Sequence, residues 1–534
     1  MIFMKHIKNF PTENTKISKK NQNIGQLKKI VFSRYFISAI MIVLELAEII
    51  LPIKFMSKIF MPLWVTASAI NLAVYLKIVN SDTIPEYKIP WLTIVLLMPP
   101  FGAILYAMFY SRRPSHKTQE HYGKIKNAAS LIKTSALPLE RLMNDNRSAY
   151  TKAYGLLKDS RSKLYVNTQS QYFTSGEQMY KSLLEDLKKA EKFIFMEYFI
   201  IECGLMWNTV LNILKKKARE GVEVRIMYDD IGCMLTLTPN YNEIIEKLGI
   251  KCRQFSKISG RATSSHNNRD HRKITVIDGK TAYTGGINMA DEYINHVKKY
   301  GYWKDTAIKL TGDAVQGFCA MFLINWDTNS GHEISDYQKY CKPTMQNINC
   351  ENGYYIPFGD GPAPLYPETV SKNAFLNIIN QAQEYVYITT PYFIIDTELT
   401  NSLINASKRG VDVRIITPHI PDKKIIHLMT RSAYNHLIKY GVKFFEFTPG
   451  FIHAKSIVSD DDYSIIGTVN FDYRSLVHHF EDGVWIYKSE TVLKIKRDFL
   501  STQKLSERIS KKTLKITLFQ RIIKIFVKIA APLL

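Results

Sequence analysis

The chain has 534 residues, with 71 Lys and Arg against 48 Asp and Glu for a formal net charge of +23. That length exceeds one hydrophobic core and calls for two or three domains, while 46% hydrophobic and 22% charged residues exclude a mainly disordered chain. So basic a balance points to an anionic partner: nucleic acid, an acidic membrane surface or a phosphorylated substrate.

The first 110 residues hold three apolar runs, Phe36 to Leu51, Ile59 to Val79 and Ile89 to Tyr110. The third reaches the roughly 20 residues needed to cross a bilayer. It carries Trp91, Tyr106 and Tyr110 at its interfaces and is followed by Arg112, Arg113 and Lys117. Glu45 and Glu48 fall inside the first run, where an unpaired carboxylate is expensive. Basic residues flank both the leader (Lys16, Lys19, Lys20, Lys28, Lys29) and the exit of the third run. An even number of crossings puts both flanks inside, so runs two and three are expected to span and run one to lie in the interface or re-enter. A cleavable signal peptide fits poorly, because no small-residue cleavage site follows an apolar core.

Cys203, Cys233, Cys252, Cys319, Cys341 and Cys350 form no C-x-x-C pair and no zinc spacing. They read as free thiols in a reducing compartment.

From Lys192 the sequence repeats itself. KFIFMEYFII (Lys192 to Ile201) and the following ILKKKAREGVEVRIMYDD recur as YVYITTPYFII (Tyr385 to Ile395) and LINASKRGVDVRIITP. Each copy reads strand, helix, strand, and the drifting offset is that of a duplicated domain with loop deletions. The expected fold is α/β: two tandem α/β/α domains packed as a pseudo-dimer behind an N-terminal helical membrane region. The boundaries are 1–115 for the membrane region, 116–160 for a linker, 161–345 and 346–510 for the two domains, and 511–534 for a C-terminal helix. The Pro/Gly-rich stretch from Tyr355 to Pro367 lies near the domain boundary. In the last segment Leu518, Ile522, Ile525 and Ile529 form an apolar stripe beside Arg521, Lys524 and Lys528. That pattern suits a helix lying on anionic lipid.

Each repeat closes on the same pattern, H-x-K-x4-D-x6-G-x-x-N. It runs through His271, Lys273, Asp278, Gly285 and Asn288, then through His453, Lys455, Asp460, Gly467 and Asn470. Five fixed positions coincide by chance about once in three million starts, so a second copy in register is no accident. Residues two apart on a strand share a face, so each His and Lys address one anionic group together. Asp278 and Asp460 complete the motif and are counted with its catalytic residues, although Asp278 lies on the opposite parity in an Asp-Gly turn, which suits an architectural role. The two Asn amides can donate to phosphate oxygens.

Joined, the halves gather two imidazoles, two ammonium groups and two amides, a set suited to phosphodiester transfer. The lysines and amides neutralise charge, one neutral His attacks phosphorus, and the other His protonates the leaving oxygen and later deprotonates the acceptor. No carboxylate cluster calls for catalytic metal, so neither metal nor cofactor is expected. A lone strand His is more often structural, and His478 and His479 are set aside on that ground.

The paired motif resembles the phospholipase D superfamily, most closely its bacterial cardiolipin synthases. Further likeness lies in PWLTIVLLMPPFGAILY, MEYFI, YWKDT, TPYF, GTVNFDYRSL and the closing APLL. The resemblance implies condensation of two phosphatidylglycerol molecules to cardiolipin and glycerol through a phosphatidyl-histidine. It makes His271 the nucleophile and His453 the general acid/base, an order that the sequence symmetry leaves open. It also implies an acidic residue downstream of each motif that orients the histidine, here Asp305 and Glu481. The Ser or Thr common after the motif Gly is present as Thr468 and replaced by Gly286 in the first copy. Tyr198, Phe199, Tyr392 and Phe393 read as core or pocket wall, and Glu197 as structural or site-facing. The expected partners are phosphatidylglycerol, cardiolipin and an anionic membrane, with no nucleic acid, and the expected location is the cell membrane, multi-pass, with the catalytic domains in the cytoplasm. The alternatives are a hydrolase or transferase with another acceptor and, in a different class, a non-catalytic lipid-binding scaffold.

Overall fold

The computed structural model describes residues 60–99, 101–110, 116–132, 137–160, 162–256, 268–329, 333–343, 353–363, 365–511 and 514. The first apolar run and the C-terminal amphipathic stripe lie outside them. The described residues fall into two units, one within the first 112 residues and the other following it.

In the first unit the second apolar run forms helix α1 (Phe60–Val79). The third run is not one helix. It divides into α2 (Pro85–Leu97) and α3 (Phe101–Phe109) at the Pro99-Pro100 pair, because proline has no N–H to continue a helix and restricts the residue before it. The two pieces fold back on each other. The Tyr110 hydroxyl reaches Thr83 Oγ1 at 3.0 Å, and Trp91 meets the Tyr106 ring edge-on at 5.3 Å. Gly102 permits the close approach, since a Cβ there would fall 2.5 Å from the Val95 Cα. The expected single crossing by this run is therefore corrected to a helical hairpin, and among the described residues no helix is long and apolar enough to cross a membrane.

The second unit opens with α4 (His116–Ser130), α5 (Leu137–Asp145) and α6 (Arg147–Ser160). This segment, expected as a linker, buries Ile125, Leu142, Ala149, Ala153 and Leu156 in the main core. Its apolar residues recur at helical spacing and pay for their ordering by that burial.

The first half then runs β1 (Thr168–Phe173), α7 (Gly176–Lys188), β2 (Phe193–Tyr198), α8 (Leu205–Arg219), β3 (Glu223–Asp229), β4 (Lys251–Phe255), β5 (Lys273–Ile277), β6 (Thr281–Gly285), β7 (Tyr302–Lys304), β8 (Ala307–Gly312) and α9 (Val315–Thr328). The second runs β9 (Tyr354–Asp360), α10 (Val370–Gln381), β10 (Tyr385–Thr389), β11 (Phe393–Ile394), α11 (Thr397–Lys408), β12 (Asp412–Pro418), α12 (Lys424–Leu437), β13 (Lys443–Phe447), β14 (Gly450–Ile452), β15 (Ser456–Ser459), β16 (Tyr463–Gly467), β17 (Phe471–Asp472), β18 (Glu481–Tyr487), α13 (Glu490–Lys504) and β19 (Ser506–Ile509).

One sheet has the order β1-β8-β6-β5-β2-β3-β4 and the other β19-β13-β12-β10-β15-β16-β18-β9. In both, the strand–helix–strand copies supply parallel neighbours, β2 with β3 and β10 with β12, and the motif hairpins add antiparallel ones. Crossovers through α8 and α11 account for the parallel part.

A single core crosses from one half to the other: Phe195, Ile274 and Val276 of the first sheet belong to the same cluster as Ile388, Ile457 and Ile465 of the second. Helix α9 lies inside it, buried on nearly every side. This shared core makes the two repeats one pseudo-dimer.

Candidate active site

The motif histidines stand on short extended stretches just ahead of β5 and β15. Each backbone is tied to the opposite half: His271 N donates to Phe480 O at 2.9 Å, and His453 N donates to Lys304 O at 2.7 Å. Phe480 and Lys304 each precede an acid, so the same ties bring those acids across. His271 Nδ1 lies 2.9 Å from Glu481 Oε2 and His453 Nδ1 lies 2.7 Å from Asp305 Oδ2. An ionised carboxylate only accepts, so it fixes the proton on Nδ1 and leaves the Nε2 lone pair free. Each acid thus serves the histidine of the other repeat.

Both imidazoles are buried. Phe199 meets His271 edge-on at 5.0 Å and Tyr293 meets His453 edge-on at 5.4 Å. Burial pushes the His271 imidazole down to about 3. Burial, then the Lys455 and Lys273 charges, hold His453 well below its ordinary value. Burial also lowers Lys273 to about 8 and Lys455 to about 7. Lys273 lies within the electrostatic field of both Lys455 and His453, so the two motifs share one site. The ammonium groups repeat each other's geometry: Lys273 Nζ donates to His271 O at 2.6 Å and Lys455 Nζ donates to His453 O.

The other expected residues divide. Asp278 and Asp460 lie at the far ends of β5 and β15. Asp278 accepts from the backbone N–H groups of Glu191, Lys192 and Phe193 at 2.7–2.8 Å, and Asp460 from those of Gln383, Glu384 and Tyr385 at 2.9–3.0 Å. Both adopt positive φ, 55° and 54°. They close the hairpins onto the neighbouring loop and do not reach the histidines.

Asn288 donates to the Tyr293 hydroxyl at 2.7 Å and accepts from Ile200 N, so its amide is partly engaged within the protein. Asn470 is buried with an unbonded carbonyl oxygen. Thr468 donates its hydroxyl to Glu481. Gly286, where the first copy lacks that hydroxyl, makes room instead: a Cβ would fall 2.0 Å from Asp305 Oδ1.

Glu197 faces the interior, bonded to Asn325 at 2.8 Å and lying 3.9 Å from Arg272. Tyr198 and Phe393 are buried, and Tyr392 donates to Asp422.

The sequence reading passed over Arg272 and set His479 aside. Arg272, the variable position of the first motif, is fully buried; it donates to Glu481 O at 3.0 Å and the Tyr366 hydroxyl at 2.8 Å, clamping the halves together. His479 stands beside His271 with ring centroids 5.6 Å apart. A lone His carries no local signal, and only the carboxylate two positions on could have drawn attention to it.

Among the described residues, the group able to hold a metal ion is His271, His479 and Glu481, whose donor atoms lie within 4.8 Å of one another. Lys273 in the same pocket opposes a dication there.

The family model described as cardiolipin synthase, PLD-like domain, matches residues 183–303 and 375–502, and one described as phospholipase D-nuclease N-terminal matches 69–109. An uncharacterized protein of Streptococcus mutans is 42% identical over 86% of this chain and 99% of its own length. A cardiolipin synthase of Alkalihalophilus pseudofirmus is 31% identical over 84% of this chain and 89% of its own. The solved phosphatidylserine synthase of Haemophilus influenzae shares the fold, with a TM-score of 0.54 at 14% identity over 72% of this chain and 98% of that one. Aligned along most of its length with a cardiolipin synthase and matched in both halves by that family's model, the chain belongs to the cardiolipin synthase family of phospholipase D-like phosphatidyltransferases.

Proposed function

We propose that the chain condenses two phosphatidylglycerol molecules into cardiolipin and glycerol, using His271 and His453 as a pair. The observation that carries this reading is the exchange of carboxylates, which leaves two neutral imidazoles with free Nε2 atoms beside two buried ammonium groups.

The first phosphatidylglycerol binds with its phosphate against Lys273 and Lys455, aided by the Asn470 amide. Its negative charge restores the protonated states that burial disfavours, those of the lysines and of one imidazole. His271 Nε2 attacks phosphorus, the bond from phosphorus to the glycerol oxygen breaks, and protonated His453 gives its proton to that oxygen. Glycerol leaves. The hydroxyl of a second phosphatidylglycerol then loses its proton to His453 as its oxygen bonds to phosphorus and the P–Nε2 bond breaks. The enzyme returns to its starting state with no redox change and no cofactor. Lys273, Lys455 and the amide take the charge-stabilising role that a metal plays elsewhere. Asp305 keeps the His453 ring oriented through both proton transfers, as Glu481 does for His271.

The chain is membrane-associated and handles phospholipid; nucleic acid is not its substrate. Its catalytic unit meets the anionic bilayer from the cytoplasmic side, tethered by the apolar N-terminal region. The +23 charge favours that surface. So do the exposed Met234 and Leu235, on the loop after β3 that packs against Phe199. An impermeant thiol reagent should leave the exposed Cys203 unlabelled in intact cells and label it once the membrane is opened; labelling in sealed cells overturns the orientation.

The deciding experiment incubates purified protein with phosphatidylglycerol in mixed micelles containing chelator. Cardiolipin and free glycerol are expected, and both should be lost in His271→Ala and His453→Ala. Phosphatidic acid instead makes water the acceptor. No turnover by the wild type sinks the enzymatic reading.

A further inference from the structure

Among the differences between the two halves is a pair of positions beside the histidines. His479 stands two residues before Glu481, and Trp303 stands two residues before Asp305. Their places correspond: His479 lies 5.6 Å and 41° from the His271 ring, and Trp303 lies 5.5 Å and 48° from the His453 ring. One catalytic imidazole thus has an imidazole neighbour and the other an indole.

The unmet hydrogen bonds fall on the same spot. Glu481 Oε2 accepts from His271 and Thr468, whereas Oε1 is buried with no partner. Both ring nitrogens of His479 are buried without a partner too, and its Nδ1 lies 3.7 Å from that Oε1. A carboxylate oxygen left unpaired in a buried site is costly, and a shift of under about 1 Å closes the gap to hydrogen-bond distance.

We propose that His479 is a positioning residue: its Nδ1–H donates to Glu481 Oε1, holding that carboxylate between two imidazoles, so that the half containing His271 is the one built for nucleophilic attack. The inference rests on the two-histidine reaction proposed above and decides which histidine does what.

The chemistry of the two roles explains the asymmetry. A nucleophilic imidazole becomes a cationic N-phosphoryl imidazolium, so the carboxylate on its Nδ1 must stay ionised and oriented throughout. Three donors, His271, Thr468 and His479, do that for Glu481. An acid/base imidazole passes a proton back and forth, and an indole that makes no hydrogen bond to the carboxylate leaves Asp305 less firmly ionised. The acids differ in that sense: burial pushes Asp305 up to about 6, whereas the imidazoles hold Glu481 below the usual range although burial acts the other way.

The charged groups facing Glu481 are His271 and Lys273 from the first motif, Lys455 from the second, and Asp472, Asp482 and His479. Those facing His479 are Glu481, His271, Asp229 and Asp472. Removing the His479 donor withdraws support from the ionised Glu481, so its pKa rises.

The test compares full-length wild type, His479→Phe, which keeps a ring but no donor, and His479→Asn, which restores an N–H donor. Melting temperatures serve as the folding control. His479→Phe is expected to lower kcat roughly ten- to a hundredfold, the range for groups that orient a functional imidazole, with KM little changed. The acid limb of its kcat profile should move up by roughly one unit, and His479→Asn should recover most of both. In rapid-quench experiments with labelled phosphatidylglycerol, His479→Phe should slow formation of the alkali-stable protein adduct and leave its breakdown unaffected.

A folded His479→Phe with wild-type kcat and acid limb overturns the proposal, as does a loss that His479→Asn does not recover. Slowed breakdown with normal formation overturns the assignment of His271 as nucleophile. If the wild type forms no adduct, the covalent course fails, and the kcat and pH comparisons still decide about His479.

Discussion

His271 and Glu481 stand 210 residues apart in the chain and 2.9 Å apart in the fold. Glu481 belongs to the second repeat and His271 to the first, and the matching pair, His453 with Asp305, is crossed in the opposite sense. Neither half therefore holds both a motif histidine and its carboxylate partner, and separating the halves parts both pairs.

Glu481→Gln keeps the side-chain shape but lets Nδ1 of His271 face either a carbonyl or an amide group. The wrong tautomer turns the lone pair away from phosphorus, so kcat should fall about a hundredfold or more, with KM within a fewfold of wild type. Steady-state cardiolipin formation, with melting temperature as a control, checks this. A Gln variant with wild-type kcat would remove Glu481 from the mechanism.

The lysine values set a pH dependence for substrate binding. In the free site Lys273 and Lys455 titrate near about 8 and about 7, lowered by burial. A bound phosphate anion favours the protonated forms, so both are charged below pH 7 and binding is strongest there. As pH rises through these values each group loses its proton and affinity falls, by up to about tenfold per unit for each group that must be reprotonated. KM for phosphatidylglycerol, measured in mixed micelles from pH 6 to 9, should be flat at the acid end and climb above pH 7. A KM that falls or stays flat to pH 9 contradicts phosphate binding by these lysines.

Gly286→Ala tests the close approach of Asp305. The new Cβ would lie 2.0 Å from Oδ1, which already accepts from Thr306 N at 2.8 Å. The carboxylate must swing away from His453, and activity should drop at least tenfold, the scale of losing an oriented acid/base group. Wild-type turnover in a folded Gly286→Ala protein would mean that the acid has room to spare.

Asp278→Asn addresses architecture rather than chemistry. The carboxylate accepts from three backbone N–H groups that an amide cannot satisfy together. Unfolding by denaturant should show a loss on the order of 1–3 kcal/mol, while kcat per folded enzyme stays near wild type. Loss of kcat with unchanged stability would return Asp278 to the catalytic set.

Leu235→Asp should separate membrane docking from chemistry. Leu235 is 91% exposed on the loop near Phe199 and His271, and placing a charge there opposes entry into lipid. Activity on phosphatidylglycerol vesicles should fall, while activity on a monomeric short-chain phosphatidylglycerol should hold. Equal rates on vesicles for variant and wild type would take this loop off the bilayer.

Much of the fold was legible because its signals are local. Alternation along VEVRIMY and VDVRIIT anticipates β3 and β12, and the turn at Asp278 follows from residues adjacent in the chain. The N-terminal region was misread for a local reason as well. Hydropathy sums over Ile89 to Tyr110 without weighting the proline pair, and the backbone breaks there into α2 and α3. The segment 116–160, expected as a linker, instead packs apolar residues of its three helices into the core.

The sequence by itself determined the chemistry: two H-x-K motifs at equal spacing declare a phosphodiester-transfer site, since the residue types and their period are properties of the chain alone. Only the tertiary structure decided the partnerships. Which acid meets which histidine, why Gly286 faces Asp305, and that His479 rather than an indole stands beside His271 all depend on a core shared between the repeats. Side chains hundreds of residues apart become neighbours through that packing, and a periodicity read along the chain carries no record of distances across it.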